Sequence, residues 1–113
     1  MMDLSPEDSK LVTLARSSRA RTQAEHGAAV RDQDGRTYVA STVHLPSLHV
    51  DALDLAVAMA VSSGATGVEA AALVGEMVPE PVVDGTAVRD VSGHGVAVYL
   101  ADPQGTVVKV RTT

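Results

Sequence analysis

From Leu55 to Val61 the chain runs seven residues without a polar side chain. The run lies inside VDALDLAVAMAVSSG, where Gly64 follows the last helix-forming residues. Glycine in that place is a C-terminal stop, so the stretch reads as one helix that starts after Asp51. Ala56, Ala58 and Ala60 alternate with Val57, Met59 and Val61, which leaves no polar side. A helix of that kind is buried on more than one side. In 113 residues a sheet can cover one side only. A second copy of the chain is the expected cover for the rest, because soluble monomers seldom expose a large apolar patch. A homo-oligomer, dimer or tetramer, follows as an expectation.

The rest of the apolar set points the same way. Hydrophobic residues are 45% of the chain, yet there is no Phe, no Trp, and only Tyr38 and Tyr99. Alanine and valine bury little area each, and one small domain over 1–113 buries a modest share of its surface. Cysteine is absent, which rules out disulfides and thiolate metal ligands. A formal charge of −5 gives no basic footprint for nucleic acid. The opening MMDLSPEDSK is acidic and polar, unlike a secretory signal. The apolar run falls well short of the roughly 20 residues a bilayer requires. A soluble, cytoplasmic chain without membrane contact is expected.

The remaining elements follow from local signals. In LSPEDSKLVTLARSSRARTQ, Ser5 is an N-cap, Pro6 the first helical residue, and Glu7 and Asp8 fill the first turn. Leu11, Leu14, Ala15 and Ser18 keep helical spacing. HGAAVRDQDGRTYVASTVH reads as a hairpin turned at Asp34-Gly35, with Val39 and Ser41 on one face and Tyr38 and Ala40 on the other. GVEAAALVG is an interior strand. Asp84 caps a short helix over 85–92, and VAVYLADPQGTVVKVR is a second hairpin turned at Asp102-Pro103-Gln104-Gly105. Helices interleaved with strands predict a three-layer α/β/α sandwich around one mixed five-stranded sheet.

Order and wording together resemble the cytidine deaminase family over nearly the whole chain. HGAAVRDQDGRTYVASTVHL matches the family's VGAAL…DG…Y.G.NVEN. DALDLAVAMAVSSG matches its second helix, which begins Cys/His-Ala-Glu. PVVDG, from Pro81, falls on the Pro-Cys-x-x-Cys that opens its third helix, and VYLADPQG matches its fourth strand and turn. The resemblance implies a zinc site with three Cys or His ligands and a glutamate that shuttles protons. The first ligand falls on Asp51, the glutamate on Leu53, and the two cysteines on Val82 and Gly85. The nucleoside-binding Asn and Glu fall near Thr42 and His44. Valine and glycine cannot ligate zinc and leucine cannot carry a proton. The expectation is a non-catalytic member without cofactor, a structural or interaction module and not an enzyme.

Alternative readings stand beside it. Thr42, His44, His49, Asp51, Leu53, Val82 and Gly85 would line a vestigial pocket that takes a nucleoside-like molecule. His44, His49, Asp51 and Asp54 would form a relocated metal site in a divergent hydrolase or deaminase, with the histidines on a loop. The plainer role for Asp51 is a helix cap. Lys10, Arg16, Arg19 and Arg21 form a basic stretch, read as a solvated helix face and not an RNA site. His94 reads as a turn residue.

Overall fold

The structure, a computed structural model, describes residues 4–81, 83 and 85–113. Val82 and Asp84, both used in the sequence reading, lie outside the described residues. Helix α1 (Pro6–Thr22) starts as expected: Ser5 Oγ accepts from the Asp8 N–H at 3.1 Å. Strands β1 (His26–Asp32) and β2 (Thr37–Ser41) form the first hairpin. Its turn is held by a buried acid. Asp32 Oδ1 accepts from the N–H groups of Asp34 and Arg36, and its Oδ2 accepts from the Tyr38 hydroxyl. Burial alone would push the Asp32 carboxyl up, but those three donors hold it below its usual value.

Two short strands follow where the sequence predicts a loop. β3 (Val43–Leu45) and β4 (Leu48–Val50) pair antiparallel around Pro46-Ser47, so His44 and His49 sit opposite each other on a ribbon. Helix α2 (Ala52–Ser62) comes next, and Gly64 ends it at φ +100°. Strand β5 (Val68–Gly75), helix α3 (Thr86–Ser92), and strands β6 (Ala97–Ala101) and β7 (Val107–Thr112) complete the order.

The sheet runs β2-β1-β5-β6-β7, mixed because β5 and β6 are parallel while the other pairs are antiparallel. This is the three-layer sandwich expected from the sequence. Alternation along each strand sorts the core. Ala28, Val30, Ala71 and Leu73 face α2 and α3, meeting Leu53, Ala56, Val57, Ala60 and Val88. Ala29, Ala70, Ala72 and Val74 face α1, meeting Leu11, Val12 and Ala15. Both faces of β1 and β5 are therefore covered, which explains their unbroken apolar text. Gly27 lets α1 come in close, since a Cβ there would stand 2.1 Å from the Ala15 carbonyl oxygen.

Helix α2 divides into two faces. Within one chain only one side is buried, through Ala52, Leu53, Ala56, Val57 and Ala60. Ala58, Met59 and Val61 face outward, exposed. No helix among the described residues is long and apolar enough to cross a membrane.

Candidate functional site

The N-terminal end of α2 opens into a cavity of about 490 Å³. Five pieces of chain frame it: the start of β1 (Glu25, His26), the residue after β2 (Thr42), the passage from β4 into α2 (His49, Asp51, Leu53, Asp54), Leu73 of β5, and the residues Pro81, Val83 and Gly85. The location follows from the topology. Open α/β sheets form ligand crevices beyond the carboxyl ends of their strands. Leu73 lies near that end of β5, and the N-terminus of α2 faces the same crevice.

Thr42 is held by β1. Its Oγ1 accepts from the His26 N–H at 3.0 Å and donates to the His26 carbonyl at 3.3 Å, while its own N–H donates to that carbonyl at 3.0 Å. Asp51 stands at the N-cap of α2 in an extended conformation (φ −67°, ψ 145°), but its carboxylate accepts no capping hydrogen bond. The helix-cap role is thereby corrected. The carboxylate is exposed and lies 3.8 Å from His49 Nε2, a distance that makes a loose, screened pair. The His49 ring is stacked on His44, with centroids 4.8 Å apart.

The structure therefore gathers Thr42, His49, Asp51, Leu53 and Gly85 around one cavity and leaves His44 behind His49, outside the lining. Val82 lies outside the described residues. Glu25 and His26 were missed. Asp54, read as a metal ligand, lines the cavity as well. His94 lies between α3 and β6, away from this lining. In the basic stretch, Arg16 and Arg19 are engaged internally, donating to the carbonyls of Gln104 and Glu25.

A zinc ion with three protein ligands does not fit this donor set. Among the described residues no group of three or more His, Cys, Asp or Glu side chains could hold a metal ion. His49 and Asp51 converge without a third, so the relocated site of His44, His49, Asp51 and Asp54 is corrected too.

The family model that describes cytidine deaminase-like chains matches residues 4–105. The chain belongs to the cytidine deaminase-like family. Solved structures agree in fold. A cytidine deaminase from Burkholderia pseudomallei is 23% identical, with 97% of this chain and 92% of that one covered at a TM-score of 0.75. One from Mycobacterium leprae is 19% identical, with 97% and 94% covered at 0.67. One from Mycobacterium tuberculosis is 21% identical, with 79% and 80% covered at 0.58. A search of curated protein sequences finds no significant match. The expectation that the chain is not an enzyme is overturned here. It rested on aligned positions in the sequence, whereas the cytidine deaminase-like family to which the chain belongs points to an enzyme.

Proposed function

We propose that this cytidine deaminase-like chain takes a nucleoside-like small molecule into the cavity at the N-terminal end of α2. One observation carries the reading: the cavity lining combines polar and apolar groups. Glu25, Thr42, His49 and Asp51 supply polar groups, while Leu53, Leu73, Pro81 and Val83 are apolar. A nucleoside combines them likewise, in the apolar faces of its base and the polar edges and hydroxyls around them. Sites for such molecules measure about 300–1,000 Å³ and set a few polar groups in an apolar lining. The named activity of the structural relatives supplies the ligand class.

In this reading Thr42, His49, Asp51, Leu53 and Gly85 contact the ligand, and His44 steadies the His49 ring. The ligand is held by these side chains without a resident zinc. The absence of cysteine and the leucine, valine and glycine at the aligned positions support that. Glu25, His26, His49, Asp51 and Asp54 are the groups present that can take or give a proton.

Calorimetric titration with cytidine, deoxycytidine and uridine tests the reading. Ultraviolet spectra of the same mixtures follow conversion. Saturable binding of at least one nucleoside, weakened by Asp51→Ala, is expected. An absence of binding by all of them at millimolar concentration refutes it. About one zinc per purified chain would remove the zinc-free part.

We also infer that the chain assembles as a homo-oligomer through the outer face of α2. Met59 and Val61 are 39% and 48% exposed there, beside the exposed Ala58. Leu45 and Leu48, 56% and 52% exposed, lie on the ribbon that leads into the helix. A monomer by light scattering across micromolar concentrations would remove this part.

A further inference from the structure

Glu80 stands outside the cavity but next to its lining. Pro81, the following residue, lines the cavity, and so do Val83 and Gly85. Among the described residues between Gly75 and Pro81, Glu80 is the one that hydrogen-bonds to another element. Pro79 and Pro81, on either side of it, have no N–H to donate. Val78 is 88% exposed, and Met77 and Val83 pack only partly buried against the core.

The bonds of Glu80 go to β7, an edge strand of the sheet. Its Oε1 accepts from Arg111 Nη2 at 2.8 Å and lies 3.1 Å from Lys109 Nζ, and its Oε2 accepts from Lys109 Nζ at 3.4 Å. Lys109 and Arg111 are two apart, so both side chains project from one face of the strand. Their partners on β6 are Leu100 and Val98, which belong to the cluster under α2 and α3. Gly85 also abuts this part of the chain: a Cβ there would stand 3.1 Å from Thr113 Cγ2. No described residue of β7 lines the cavity itself.

The link from Glu80 to the lining is stiff. Proline fixes φ at Pro81, and a residue that precedes proline is driven to extended backbone. Holding Glu80 therefore holds Pro81. Lys109 and Arg111 keep the Glu80 carboxyl below its usual value, so it is ionised at neutral pH. A ligand that packs against a wall already in place is spared the cost of ordering it.

We propose that Glu80, clamped by Lys109 and Arg111, is a positioning residue that presets the Pro81 side of the cavity and so governs affinity for the bound small molecule from outside the lining. The proposal rests on the small-molecule reading of this cavity.

Two variants test it, Glu80→Gln and the double variant Lys109→Met/Arg111→Met. In titration with cytidine or uridine, whichever the wild type binds, each should lose about three- to tenfold in affinity, the scale of partly exposed ion pairs. Joining all three substitutions should lose no more than either variant alone, because both break one clamp. The nucleosides are uncharged, so salt acts through the protein. Raising it to about 0.5 M should close the gap between the wild type and Glu80→Gln. Wild-type affinity in Glu80→Gln would overturn the proposal and leave the small-molecule reading standing. So would losses that add in the triple variant, or a gap that salt leaves open. If the wild type binds neither nucleoside, that reading fails, and this proposal fails with it.

Discussion

The Tyr99 hydroxyl donates to Asp8 Oδ2 at 2.5 Å, joining β6 to the first turn of α1. Arg31 Nη2 holds the other carboxylate oxygen at 2.9 Å, and Arg31 Nε reaches Glu69 at 3.1 Å. The hydrogen bond to Asp8, then burial, pushes the Tyr99 phenol up to about 12. Tyrosine in an unfolded chain ionises near pH 10. The folded state holds this proton more tightly, so the stabilisation is complete below about pH 10 and is lost as pH rises toward about 12. Urea midpoints measured across that window should fall more steeply in the wild type than in Tyr99→Phe. Parallel slopes would show that the bond carries no such stability.

Two residues occupy N-cap positions, and they should respond differently to alanine. Ser5 caps α1 through its side chain, while Asp51 makes no such bond on α2. Ser5→Ala should cost about 0.5–2 kcal/mol. Asp51→Ala should stay within about 0.5 kcal/mol of the wild type, as an exposed substitution that loses only a loose, screened pair does. Denaturant melts of both variants check the pair. A loss from Asp51→Ala matching that from Ser5→Ala would restore the capping role.

Gly27→Ala should be among the more damaging single-methyl additions in the chain. The new Cβ would meet the Ala15 carbonyl and the backbone of Arg19, neither of which can turn aside. Separating α1 from β1 disturbs a tightly packed face, and overpacking of this kind costs about 1–3 kcal/mol. Calorimetry should show a clearly lower melting temperature. Gly35→Ala is a useful contrast, since its Cβ would meet nothing and its strain comes only from φ +82°.

Along α2, neighbouring alanines separate assembly from folding. Ala60 is fully buried against the sheet and Ala58 faces outward. Ala60→Glu places an unpaired charge in the core and should unfold the chain. Ala58→Glu should leave the far-ultraviolet circular dichroism unchanged and dissociate the proposed oligomer on size-exclusion chromatography. A folded Ala58→Glu protein that elutes like the wild type would remove α2 from the proposed contact.

The elements with local signals were legible in the sequence. Ser5-Pro6, Gly64 and the turns at Asp34-Gly35 and Gln104-Gly105 mark where chain direction changes, and the fold follows them. β3 and β4 were not legible, because three residues are too few for alternation to register. The N-cap position of Asp51 was read correctly, but its rotamer was not. A carboxylate can turn to the helix or to a neighbour, and His49 lies on the other side. Glu25 and His26 gave no signal at all. They enter the cavity only because β1 pairs with β5 and bonds to Thr42, relationships spanning long stretches of chain.

Alanine fills both faces of the central strands: Ala28 and Ala29 on β1, and Ala70, Ala71 and Ala72 on β5. At such positions nearly every substitution enlarges the side chain, and a packed interior resists added volume. A buried leucine, by contrast, can exchange with isoleucine or methionine at nearly constant volume, the kind of swap that cores tolerate best. These alanines have almost nowhere smaller to go. Descendants of this sequence should therefore vary at Leu11 or Leu100 more readily than at the alanines of β1 and β5.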